Sequence, residues 1–82
     1  MILAVDAGNS RVKWALHDGR SFVREGWAMH ADLDALDAQW SSLPTPSVIV
    51  IANVAGDGIG ERLRKSSERW KTARRWVSSS RS

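Results

Sequence analysis

Two short apolar runs, Ile2-Leu3-Ala4-Val5 and Val48-Ile49-Val50-Ile51, constrain the fold of this chain more than any other feature. Runs of this kind suit strands buried on both faces, and such strands lie side by side and parallel beneath covering helices. The second run is therefore expected beside the first. Between them, Val12, Trp14 and Leu16 alternate with Arg11, Lys13, Ala15 and His17, which is the pattern of an extended segment with one face toward a core. His17-Asp18-Gly19-Arg20 places Asp-Gly, a strong hairpin signal, ahead of a third strand predicted over Ser21 to Met29.

Helical spacing follows. Leu33, Leu36, Trp40 and Leu43 share one face of a helix predicted from Ala31 to Ser42, and Asp32, Asp34 and Asp37 gather near the end where the helix dipole favours negative charge. Pro44-Thr45-Pro46 stops it. A second helix is predicted from Gly58 to Lys71 with Ile59, Leu63, Ser66 and Trp70 inward, and Arg74 to Val77 begins a fifth strand. The order β-β-β-α-β-α-β predicts an α/β fold with a mixed sheet, of the kind found in a ribonuclease H-like half domain. Residues 1–77 are expected to form that domain, and 78–82 a disordered polar tail.

Asp6 to Ser10 reads as the turn joining the first two strands. Gly8 leaves the main chain open to a ligand and can take the positive φ that makes successive N–H groups converge on an anion. Asn9 and Ser10 add neutral donors, and Lys13, two residues past Arg11 on the same strand face, can bring a point charge to a terminal phosphate. Asp6 would repel phosphate directly, so its fitting task is to hold Mg²⁺, directly or through water. The same residue types also make an ordinary solvated hairpin, and these residues alone leave both readings open.

Ile2 to Trp14 closely resembles the N-terminus of type III pantothenate kinases, whose first phosphate motif reads Asp-x-Gly-Asn-(Ser/Thr). Here the motif is Asp6-Ala7-Gly8-Asn9-Ser10, continued by Arg11, Val12 and Lys13-Trp14. The family includes Baf-type accessory factors and belongs to the acetate kinase/sugar kinase/Hsp70/actin superfamily. A looser similarity extends into Ser47 to Gly56 and is lost after Trp76. The resemblance implies ATP-dependent phosphorylation of pantothenate, the entry step of coenzyme A synthesis, with Asp6, Ala7, Gly8, Asn9, Ser10, Arg11, Val12 and Lys13 along the ATP phosphates and Asp6 at the metal. It also implies a monovalent cation, K⁺ or NH₄⁺, whose ligands are absent here, and a homodimer in full-length members.

The family's second phosphate motif, Gly-x-Asp-Arg, supplies the carboxylate that deprotonates pantothenate. This sequence has no Asp-Arg pair, and Asp57 is its only aspartate after Asp37. No catalytic residue is therefore assigned in this chain, which is expected to be an inactive, truncated phosphate-binding half. The Ser78-Ser79-Ser80-Arg81-Ser82 end suggests a premature stop, a shifted frame or an experimental boundary.

With no cysteine, the chain has neither disulfides nor thiolate chemistry, and two histidines far from other ligands suggest no metal centre. No apolar stretch is long enough for a leader or membrane span, so the cytoplasm is the expected location and no membrane partner is expected. Charge divides unevenly. Residues 1–57 hold four basic and seven acidic side chains, whereas residues 58–82 hold eight and two. The alternative function is accordingly a non-catalytic binding module whose basic C-terminal surface meets nucleic acid or a protein partner. Nucleic acid is the weaker partner, because a solvated helix back explains the charge and no nucleic-acid motif accompanies it. A ribonuclease H-like nuclease would need more carboxylates near Asp6, and the second parallel strand offers Asn53 instead. Of the five tryptophans, four fit apolar stripes or strand faces and are expected in the core or an interface.

Overall fold

In a computed structural model that describes residues 1–78, alternation of side chains organises the first strand. Leu3, Val5 and Ala7 of β1 (Ile2–Ala7) are buried, while Ile2, Ala4 and Asp6 face the other way. β2 (Arg11–His17) runs antiparallel and sets Leu16, Trp14 and Val12 opposite those buried residues, so two apolar rows merge into one. β3 (Phe22–Met29) pairs antiparallel with β2, with an irregularity at Leu16/His17. β4 (Val48–Asn53) lies parallel beside β1, and β5 (Ala73–Ser78) parallel beside β4, giving the sheet order β3-β2-β1-β4-β5.

A 3-10 turn at His30–Asp32 and α1 (Asp34–Trp40) connect β3 to β4, and α2 (Asp57–Ser67) connects β4 to β5. The expected order and the parallel pairing of the two apolar runs are both present. The helix limits differ. Leu33 breaks the first predicted helix into a 3-10 turn and a short α-helix, because its carbonyl accepts both the Leu36 and Asp37 N–H groups. α2 stops at Ser67, well before Lys71. There the chain tightens through Glu68 N–H to Lys65 O and Trp70 N–H to Ser67 O, which carries Trp70 onto Trp40 with ring centroids 5.5 Å apart. Ser78, the first residue of the expected polar tail, instead closes β5 opposite Asn53, and the remainder, 79–82, lies outside the described residues.

Both helices pack on one side of the sheet. Leu36, Trp40 and Leu63 are fully buried there with Leu3, Ile49 and Ile51. This corrects the expectation that β1 and β4 are covered on both faces. Ala4, Val50 and Ala52 continue the apolar strings but face an open depression of about 770 Å³ on the other side. An unbroken apolar run records that neither face is polar; it does not record what covers each face. Trp14 and Trp70 join the core as expected, whereas Trp27 stands 52% exposed on the open side. The side chain of Trp76 lies outside the described set.

Candidate functional site

The turn between β1 and β2 is shorter than the sequence suggests, because Asp6 and Ala7 still belong to β1. Only Gly8, Asn9 and Ser10 lie between the strands. Gly8 donates its N–H to Arg11 O at 3.0 Å, closing the hairpin, and its φ is not positive; among the described residues only Gly19 and Gly56 have that conformation. The expected left-handed Gly8 is thus corrected: the antiparallel pair closes without it, and this amide points into the turn. The N–H groups of Asn9 and Ser10 have no protein acceptor among the described residues. They remain able to meet an oxyanion.

Two backbone contacts hold the loop in place. Val54 N–H donates to Ala7 O at 3.0 Å, tying the end of β1 to the segment after β4, and His30 N–H donates to Ser10 O at 3.1 Å, tying the tip to the end of β3. Neither anchor has a side-chain signature, so the sequence gives no sign of them. A loop fixed at both sides loses less conformational freedom when a ligand docks.

Asp6 and Lys13 are direct cross-strand partners, and both point to the open side of the sheet just below the loop. Lys13 lies opposite Trp27 on its other flank, and the Arg11 guanidinium sits 5.3 Å from the Trp27 ring centroid. Among the described residues, the side chains of Asp6, Asn9, Ser10 and Lys13 have no hydrogen bond within the protein, and Asp6 and Lys13 form no ion pair. Ala7 and Val12 are fully buried, so anything they give a ligand comes from the main chain. The structure therefore brings Asp6, Asn9, Ser10, Arg11 and Lys13 to one end of one face. Such a set offers one carboxylate, two cations and neutral donors at once.

Other residues singled out by sequence are spent locally. Asn53 Nδ2 donates to Gly56 O at 3.0 Å and its Oδ1 accepts the Ala55 N–H at 2.8 Å, so Asn53 shapes its own turn. No group of three or more His, Cys, Asp or Glu residues capable of holding a metal occurs among the described residues, which gives a two-metal nuclease no support. Four of the eight basic side chains in residues 58–82 have partners among the described residues: Arg62 and Arg69 bond Asp37, Arg64 pairs with Glu61, and Arg74 Nε donates to Ser67 Oγ. No helix among the described residues is long and apolar enough to cross a membrane.

Comparison with known sequences adds an independent line. The pattern that defines the type III pantothenate kinase family matches residues 2–82. A protein from Nitrosospira multiformis named type III pantothenate kinase is 43% identical over 77 residues, covering 94% of this chain and 29% of the relative. Its namesake from Dechloromonas aromatica is 39% identical over 70 residues, covering 85% and 29%. One from Burkholderia thailandensis is 55% identical over 62 residues, covering 74% and 23%. The chain thus spans less than a third of the length of these relatives.

Proposed function

This chain belongs to the type III pantothenate kinase family, and we propose that it is the ATP-phosphate-binding half of such an enzyme, inactive in isolation. The complete reaction, in this reading, transfers the γ-phosphoryl group of ATP to the primary hydroxyl of pantothenate, giving 4′-phosphopantothenate in the first step of coenzyme A synthesis. Phosphoryl transfer depends chiefly on placement and on neutralising the charge of the transferred group.

The N–H groups of Asn9 and Ser10 and their side chains cradle phosphate oxygens, while Ala7, Gly8 and Val12, whose main chain is held in the sheet and the turn, line the site and fix the loop. Lys13 supplies a mobile cation, and Arg11, held against Trp27, bounds the phosphates on the outer side. Asp6 fits Mg²⁺, because magnesium commonly takes one or two carboxylates and fills its remaining positions with phosphate oxygens and water. When bound, that ion offsets phosphate charge. The chain's own residues then bind and orient, and nothing in the sequence corresponds to the Gly-x-Asp-Arg carboxylate that would take the proton from pantothenate. The monovalent cation and the homodimer belong to the full-length protein, and a cytoplasmic setting goes with this reading.

One observation carries the proposal: Asp6 and Lys13 stand side by side beneath a pinned loop, and among the described residues no hydrogen bond takes up the Asn9 or Ser10 side chain. Calorimetric titration with Mg-ATP tests it. Lys13→Ala is expected to weaken binding about tenfold, roughly 1.4 kcal/mol, while Lys65→Ala on the outer side of α2 leaves it unchanged. Equal affinity in the wild type and Lys13→Ala would refute the assignment. The basic-surface alternative has less support, since most of its arginines already have partners; salt-sensitive RNA or DNA binding indifferent to Lys13 would restore it.

A further inference from the structure

Trp27 lies opposite Lys13 in the β2–β3 register, which makes it the diagonal neighbour of Arg11 on the same face of the sheet. The Arg11 side chain takes that diagonal, and its guanidinium rests 5.3 Å from the indole centroid. Trp27 is itself held from behind: its main-chain O accepts Gln39 Nε2 at 3.0 Å, and Gln39 Oε1 accepts the Trp14 indole N–H at 2.7 Å. Just beyond, the His30 N–H holds Ser10 O. One strand thus fixes both the ring beneath Arg11 and the loop beside it.

Arg11 differs from the paired arginines in the kind of partner it has. Arg62, Arg64 and Arg69 spend their N–H groups on carboxylates. Among the described residues no ion pair or hydrogen bond engages the Arg11 guanidinium, although Glu25 stands on the same face of β3. A carboxylate would neutralise the charge and occupy the donors, whereas an indole face does neither. It attracts the planar cation through its quadrupole and leaves the N–H donors around the edge of the plane for an anion. Arginine is also among the side chains that lose most rotamer freedom on being ordered, so a rest that limits its motion beforehand lowers the cost of docking a ligand. Among the described residues no ring carries the Lys13 ammonium in this way. The two cations of the site therefore differ, one placed in advance and one free to move.

We infer that Trp27 is a positioning residue of the phosphate site: its indole face holds the Arg11 guanidinium beside the loop, so that Arg11 meets phosphate oxygens without first being ordered by them. On the phosphate-site reading above, on which this assignment rests, Trp27 touches no ligand and acts only through Arg11.

Calorimetric titration of the 82-residue chain with Mg-ATP tests the assignment, with thermal melts alongside to confirm folding. Arg11→Ala is expected to weaken binding about fivefold, the worth of an exposed charge contact. Trp27→Leu keeps an apolar side chain without the ring face and is expected to weaken binding about threefold, while Trp27→Phe stays within about 1.5-fold of the wild type. In an Arg11→Ala background the leucine change is expected to have no further effect. A further loss of about threefold there overturns the inference, because a merely structural role for the ring would produce it. Full affinity of Trp27→Leu beside a weakened Lys13→Ala also overturns it and leaves the phosphate assignment standing; full affinity of Lys13→Ala removes both. The wild-type chain supplies a readout that needs no altered fold. Its Arg11 Nε–H proton, identified by its loss in Arg11→Lys, is expected upfield of an unstacked arginine through the indole ring current, and a resonance at the unstacked position rejects the stacking.

Discussion

Trp14 is buried on the helix side of β2, yet its indole reaches across β3. Its Nε1 donates to Gln39 Oε1 at 2.7 Å, and Gln39 Nε2 in turn donates to Trp27 O at 3.0 Å, so one side chain of α1 fastens both strands. The ring can lie there because its cross-strand neighbour is Gly26. A Cβ at that position would stand 2.8 Å from both the Trp14 ring and Gln39 Oε1. Gly26→Ala is therefore expected to cost about 1–3 kcal/mol through overpacking, measured as a lower denaturation midpoint with an unchanged slope. Gly19→Ala tests a different cause, since its φ of 102° sits in open space and the cost there is conformational, about 1 kcal/mol. Of these two glycines, only the turn glycine was legible in the sequence, from the Asp-Gly pair. Gly26 interrupts a strand pattern without revealing which ring crosses it. Lys13 was legible for a similar reason to Gly19, because period-two alternation fixes its face, whereas the backbone anchors from His30 and Val54 to the loop leave no trace in residue type.

The two helices are joined by a cluster of charge as well as by the core. Arg62 of α2 donates to Asp37 Oδ2 at 2.6 Å and to Asp34 Oδ1 at 3.1 Å, and it also bonds Ser66. Arg69 reaches Asp37 from the other side through Oδ1 and the main-chain carbonyl. The Arg62 guanidinium, bonded directly to the carboxylate, holds Asp37 below its ordinary value of 3.8 against the opposing effect of burial. A carboxylate with a depressed folded pKa contributes stability that is complete above the unfolded value and is lost as pH falls through the lower, folded one. Asp37→Asn is thus expected to cost about 1 kcal/mol at pH 7, a partly exposed network being worth no more. The gap between wild type and variant should narrow below pH 3.8, and urea titrations at pH 7 and pH 2.5 check it. The sequence placed these aspartates at a helix start on dipole grounds, and Asp34 and Asp37 do lie in the first turn of α1. Their arginine partners lie 25 to 32 residues away, a pairing visible only once α2 is laid beside α1. The pairing of β4 with β1 was readable from the two apolar runs and that of β3 with β2 from the Asp18-Gly19 turn; helix ends were not, because tertiary contacts at Leu33 and Trp70 decide them.

At the scale of the molecule, a five-stranded sheet carries helices of seven and eleven residues on a single side. Folded stability should accordingly fall at the low end of the usual 5–15 kcal/mol, and ligand binding should register as a large thermal shift. A ligand that binds only the folded chain adds about 2.7 kcal/mol at a hundred times its Kd. For a domain of this size each kcal/mol moves Tm by about 4–8 °C. Mg-ATP at that concentration is therefore expected to raise the Tm of the wild type by about 10–20 °C. The tenfold weaker Lys13→Ala then sits at ten times its own Kd, where the same relation gives about 1.4 kcal/mol and roughly half the shift. Asp6→Asn should leave little difference between shifts taken with and without magnesium, because no group of three or more metal-ligating side chains stands among the described residues to take over the ion. Equal shifts in the wild type and both variants would mean that ATP stabilises this fold from somewhere other than the first hairpin.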